Sequence, residues 1–244
     1  ADMKVLVSEI RVKIRSLVET GEYTRALSEL RKYRIRDLRH FDFDDISEFL
    51  YFESRCLYHL GEYRKAAIRI RAALRVARNS TNHSLYATEK QLLGVILAAC
   101  GFFVEAIEAY NESYVYRRRS GELDRLYGPL TNIGLSHFAG GNLLQAEDSF
   151  DRALRAAATY NSEKEVNLCR RSLARVQWLK GAFCDSLHSL SLISCEQLKR
   201  FAELVAAQVE ASRCNCGQSR TLLYSSLKSF TASAEPRELA ICYE

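Results

Sequence analysis

Three features of the sequence predict an all-α protein built from stacked helical hairpins. Five glycines, Gly21, Gly61, Gly101, Gly141 and Gly181, stand 40 residues apart. Each opens a related phrase: Gly-Glu-Tyr-Thr-Arg-Ala, Gly-Glu-Tyr-Arg-Lys-Ala, Gly-Phe-Phe-Val-Glu-Ala, Gly-Asn-Leu-Leu-Gln-Ala and Gly-Ala-Phe-Cys-Asp-Ser. A fixed period of this size marks a repeat array, in which no unit buries its apolar face alone and neighbours complete the core. Proline occurs only at Pro129 and Pro236, while Ala, Leu, Arg and Glu dominate, which favours helix nearly throughout. Within one period the apolar residues recur at helical spacing.

The period divides the chain into units of about 4–43, 44–83, 84–123, 124–162 and 163–194, then a degenerate unit over 195–234 and a partial one over 235–244. Together these are expected to form a single array spanning 1–244. The third unit is the clearest. Leu85, Leu92, Leu93, Val95, Ile96 and Leu97 fall on a helix A over 84–100 that Ser84 is placed to cap. Gly101 suits the left-handed residue just past a helix end, which only glycine adopts without a side-chain penalty. Phe103, Ala106, Ile107, Tyr110 and Tyr114 then define a helix B over about 103–119, where small Ala106 lets the two helices approach. The other units follow by phase, with helix boundaries at the turn glycines from about residue 4 to residue 193. After Gly181 the phase slips, and the next turn glycine is Gly217, 36 residues on. Pro236 reads as the first turn of a fresh helix, so the chain is expected to be part of a longer protein.

The pattern resembles the tetratricopeptide repeat. Gly94, Gly101, Phe103, Ala106 and Tyr110 match that family's signature in the third unit, with Ser113 at its last alanine. Gly134, Gly141, Ala146, Phe150 and Ala153 match in the fourth, and Ser54, Gly61, Tyr63, Ala66, Ile70 and Ala73 follow it in the second. Family units run to about 34 residues and end in proline, whereas these have 40 and lack it, which longer helices explain. Such long units resemble the regulatory arms of bacterial transcription factors and signalling ATPases. The resemblance implies a right-handed superhelix of antiparallel hairpins whose helix A residues line a concave groove.

Charge and cysteine usage bound the function. Residues 1–80 hold 17 Lys and Arg against 12 Asp and Glu, and the remainder 18 of each, so the whole net charge of +5 lies in the first two units. Arginine outnumbers lysine 26 to 9, which favours forked recognition of carboxylate or phosphate. The eight cysteines are scattered among apolar neighbours rather than framed for disulfides, as expected in a reducing cytoplasm. Cys214 and Cys216 have no second pair to complete a zinc site. His40, His59, His83, His137 and His188 stand in no hydrolase or metalloprotease phrase, and there is no phosphate-binding glycine loop. No enzyme, cofactor or metal is expected, and no apolar run approaches the roughly 18 residues of a membrane span.

Groove positions transferred by phase from the resemblance are Arg11 and Arg15, then Tyr51, Arg55 and Tyr58, then Gln91, Asn132, and finally Arg171, Arg175 and Trp178. Glu48, Thr88, Val95, Thr131 and Leu135 share those faces. Arginine pairs beside Tyr and Trp suit an acidic or carboxylate-bearing peptide. Asn132 matches an asparagine with which chaperone-binding members grip a peptide backbone, but Val12 and Leu92 stand where further amides belong, so a chaperone tail is disfavoured. The expected function is a non-catalytic scaffold that binds a peptide or helix of a partner, as the sensory region of a bacterial regulator. One alternative is nucleic-acid binding through the basic first third, where Arg31 to Arg36, Arg69 to Arg71 and Arg117 to Arg119 fall on helix B or its end. It is disfavoured because no base-reading pair recurs. The other is self-association through the apolar flank of an end repeat.

Overall fold

A computed structural model describes residues 3–32, 41–80, 82–160 and 163–193, with isolated positions between 203 and 221. The chain falls into two compact units, residues 1–125 and 126–244. In the first, α1 (Met3–Glu19) pairs with α2 (Tyr23–Lys32), α3 (Phe43–His59) with α4 (Tyr63–Ala77), and α5 (His83–Ala99) with α6 (Phe103–Arg119), followed by a 3-10 turn at Leu123–Arg125. In the second, α7 (Tyr127–Ala139) pairs with α8 (Leu143–Thr159), and α9 (Glu163–Leu179) with α10 (Phe183–Ser191). The described residues contain no strand. The expected degenerate and partial units over 195–244 lie almost wholly outside the described residues.

The turn glycines explain the period. All five have φ between +78° and +84°. At Gly101 its own N–H donates to the Ala98 carbonyl at 3.0 Å and the Phe102 N–H to that of Leu97 at 3.0 Å, and the same double bond closes the other four turns. This arrangement satisfies the last carbonyls of helix A and reverses the chain within two residues. A sixth glycine, Gly121, ends α6 in the same way, with φ +78° and the Glu122 N–H on the Arg117 carbonyl at 3.0 Å. It lies off the 40-residue phase, so the period did not reveal it. Gly217 differs from the expectation: its own backbone is helical and it is not among the glycines of positive φ.

In the α5–α6 and α7–α8 hairpins a small residue on helix A faces a bulky one on helix B. A Cβ added at Gly94 would meet the Tyr110 ring at 2.5 Å, and one at Gly134 the Phe150 ring at 2.7 Å. Ala66, Ala106 and Ala146 are fully buried at the crossing. Where the small residue is Ser54 or Ala174, a hydroxyl joins the pair: Ser54 donates to the Ala66 carbonyl at 2.9 Å, and Ser186 to that of Ala174 at 2.8 Å. One boundary is corrected. Asn82, not Ser84, caps α5, its Oδ1 accepting the Leu85 N–H at 3.0 Å, because the helix starts at His83, two residues before its first apolar residue, Leu85. In the first unit Ile14, Val18, Phe52, Cys56, Ile70 and Ile96 form one core through α1 to α5. In the second, Phe150 and Ala146 pack with Leu173 and Val176 of α9.

Candidate functional site

In the first unit α1, α3 and α5 lie side by side, so their exposed faces form the walls of one cleft of about 400 Å³. Arg11, Arg15 and Arg55 bring positive charge to it, and Glu19, Asp42, Asp44 and Glu48 negative charge. Tyr51, Phe52, Asn82, Ser84, Leu85 and Thr88 complete the lining. Four of the groove residues expected from the repeat phase, Arg11, Arg15, Tyr51 and Arg55, therefore meet in one place, joined by Glu48 and Thr88 from the same faces.

Glu48 is buried and holds two arginines together. Its Oε1 accepts from Arg15 Nη2 at 2.6 Å, and its Oε2 takes Arg11 Nη2. Arg11 Nη1 also donates to Asp45 Oδ1 at 3.0 Å. The first two repeats are thus tied by ions that are 33 or more residues apart in sequence. Burial, and then neighbouring Asp42, push the Asp45 carboxyl up, against the pull of Arg11. Asp42 itself caps α3, accepting the Asp45 N–H at 2.8 Å, while the Asp45 side chain takes the Asp42 N–H. The cleft is accordingly amphoteric rather than uniformly basic, and a carboxylate entering it competes with Glu48 for the arginines.

Beside the cleft α5 contributes polar groups to the interior. Glu89 is fully buried, with Oε1 2.5 Å from Ser47 Oγ of α3 and Oε2 without a partner. Burial raises its carboxyl to about 7, a rise that the Ser47 contact opposes and the Asp44 charge reinforces. Tyr51 is held above the usual phenol range by burial, with Arg55 pulling the other way. Arg117, at the end of α6, is only 5% exposed. Its Nη1 donates to Glu122 at 2.6 Å, and its Nη2 to Thr88 Oγ1 and Gln91 Oε1, both at 3.2 Å.

Two expectations change on this geometry. Arg117 does not belong to a solvated outer face with Arg118 and Arg119, which are exposed. It turns inward because the αL turn at Gly121 brings Glu122 back over the helix end. Gln91 in turn is occupied by Arg117. In the other basic stretches Arg69 pairs with Glu53 at 3.1 Å, Ile70 is core, Arg71 and Arg31 are exposed, and 33–36 lie outside the described residues.

Tyr58 does not line the cleft. It is half-buried against the core, with its ring 5.2 Å from His59 and 5.7 Å from Tyr63. Asn132, Arg171, Arg175 and Trp178 belong to the second unit. There Arg175 stacks over the Phe138 ring at 4.9 Å, joining α9 to α7, while Asn132, Arg171 and Trp178 are half-buried. Thr131 is buried, donating to the Tyr127 carbonyl at 2.8 Å. Asp42, Asp44, Asn82, Glu89 and Arg117 were missed by the repeat phase. Asp42 and Asn82 were nevertheless legible as cap residues directly before helical runs.

Among the described residues no three His, Cys, Asp or Glu side chains gather as metal ligands would, and no helix is long and apolar enough to cross a membrane. Cys214 and Cys216 lie outside the described residues.

No protein-family model and no curated protein matches the sequence. Solved structures do match the fold. The apo form of the quorum sensor NprR from B. thuringiensis is similar over 100% of this chain and 70% of that one, with TM-score 0.80 and 13% identity. A Podosopora anserina putative kinesin light chain with nearly identical TPR-like repeats is similar over 80% of this chain and 99% of that one, with TM-score 0.67 and 11% identity. The Rap conjugation gene regulator of plasmid pLS20, in complex with the Phr* peptide, is similar over 97% and 78%, with TM-score 0.64 and 13% identity. The fold is that of the tetratricopeptide-like helical-repeat solenoids.

Proposed function

We propose that the chain is a non-catalytic interaction module that holds a peptide segment of a partner protein in the cleft of its first unit, as the sensory part of a bacterial regulator. The observation that carries this reading is the convergence of Arg11, Arg15, Arg55 and Tyr51 from two successive repeats on one cleft of about 400 Å³, a volume suited to a few residues of extended chain. The Rap regulator of similar fold carries a peptide, which supports the class of ligand. The carboxylates in the lining refine the partner: a segment with a carboxylate for the arginines and an amine or amide for Asp42 and Asp44 matches both signs of charge. In the second unit, taken by itself, Asn132, Arg171, Arg175 and Trp178 are the candidates for a contact of the same chemistry.

The test is an array of acidic, basic and mixed peptides, with the affinity of retained sequences measured by isothermal titration. A mixed-charge or acidic peptide is expected to bind, and Arg55→Glu to weaken it at least tenfold, the worth of one charge-assisted contact. Retention of no peptide, or affinity unmoved by both Arg55→Glu and Arg15→Glu, overturns the proposal. DNA and RNA are expected to bind only weakly and to be released between about 50 and 200 mM salt. Sequence-selective nucleic-acid binding that survives physiological salt favours the basic first third as the functional surface instead.

A further inference from the structure

Two short contacts made by one hydroxyl determine where a proton sits. Ser47 Oγ lies 2.8 Å from the Ala73 carbonyl oxygen of α4 and 2.5 Å from Glu89 Oε1 of α5. A serine hydroxyl has one proton to donate, and a carbonyl oxygen can only accept. If Ser47 gave its proton to a Glu89 carboxylate, its oxygen would face the Ala73 oxygen at 2.8 Å with no proton between them, a repulsive contact. If it gives the proton to Ala73, the 2.5 Å contact needs a proton from Glu89. Only the second arrangement, Glu89 donating to Ser47 and Ser47 to Ala73, places one proton in each contact.

The surroundings agree. Glu89 is fully buried, and its other oxygen has no partner, a position costly for a carboxylate but tolerable for the carbonyl of an un-ionised acid. Across the helix interfaces α3 presents Asp44, Ser47 and Tyr51, and α4 the Ala73 carbonyl. The Arg117 guanidinium of α6 is engaged by Glu122, Thr88 and Gln91, and Lys90, next along α5, reaches Glu112. Asp44 repels a second negative charge, and among the described residues no cation completes a pair with Glu89.

We propose that Glu89 is held protonated in the folded protein, and that this proton is a pH-sensitive latch that fastens α5 to the α3–α4 hairpin beside the cleft. When the proton leaves, the Glu89 charge is buried without a counterion, and the Ser47 chain loses its donor. The carboxyl titrates at about 7 in the fold against an ordinary value of 4.5, so the stabilisation is complete below 4.5 and is lost as pH rises through 7. The latch acts near neutral pH, and residues Ser84, Leu85 and Thr88 on the same helix line the cleft it would loosen. The inference is independent of which ligand the cleft takes.

Glu89→Gln is the discriminating variant, because the amide keeps a donor to Ser47 and carries no charge at any pH. Urea unfolding at pH 5 and pH 8 should show the wild-type folding constant falling about a hundredfold relative to that of the variant, two pH units of linkage for one proton. Every histidine is present in both proteins, so the difference isolates Glu89. Parallel pH profiles overturn the proposal. A carbon-13 NMR titration of the wild-type Glu89 carboxyl serves if the variant does not fold: a protonated signal at pH 6 that shifts through about 7 supports the latch, and a carboxylate signal at pH 6 refutes it.

Discussion

Replacing Gly94 with alanine sets two effects of opposite sign against each other. Glycine in the middle of a helix costs about 1 kcal/mol relative to alanine, so local propensity alone makes Gly94→Ala stabilising by about that amount. The tertiary structure opposes this, since the new Cβ would lie 2.5, 2.7 and 2.9 Å from three atoms of the Tyr110 ring. Tyr110 is 2% exposed, so the ring cannot retreat into solvent, and relief requires α5 and α6 to separate. Overpacking of a tight core costs about 1 to 3 kcal/mol, and contacts this short belong at the upper end. The net expectation is a loss of about 1 to 2 kcal/mol, measured by urea unfolding followed by circular dichroism. Tyr110→Leu shortens the opposing side chain, so the double variant should recover part of the loss, with a coupling of about 1 kcal/mol. Gly101→Ala makes the contrast: its Cβ meets nothing within 4 Å, but its φ of +84° costs about 1 kcal/mol through the backbone alone, with no rescue from Tyr110→Leu. A Gly94→Ala protein more stable than wild type would refute the packing argument.

Further substitutions probe the remaining contacts. Arg117→Ala should destabilise by about 2 to 4 kcal/mol, because Glu122, Thr88 and Gln91 all lose a buried partner. Arg117→Lys should recover little of it in the same unfolding assay, since one ammonium cannot reproduce the fork; full retention by lysine contradicts the geometry. Ala146→Leu, at a fully buried crossing beside Phe150, should lower stability by about 1 to 3 kcal/mol, and an unchanged thermal melt would count against that burial.

The repeat architecture was legible because its cause is local. A helix that must reverse within two residues needs a positive φ, glycine adopts it without penalty, and so Gly21, Gly61, Gly101, Gly141 and Gly181 print the period directly onto the sequence. The same holds for the small-to-bulky pairs Gly94 with Tyr110 and Gly134 with Phe150, which follow from two helices crossing at a fixed offset. Helix faces were legible too, so the phase brought Arg11, Arg15, Tyr51 and Arg55 to one cleft. Partnership across helices was not. Glu48 with the two arginines, Ser47 with Glu89, and Arg117 with Gln91 join residues 26 to 42 positions apart. Nothing in the phase distinguishes Arg117 from Arg118 and Arg119 beside it. Which charge is buried, which is neutralised and which carries a proton depends on the spacing and rotation of neighbouring helices over distances of 3 Å. Only the packed tertiary structure sets that scale, because a charge shielded by water on a lone helix becomes paired or protonated once a second helix removes the water.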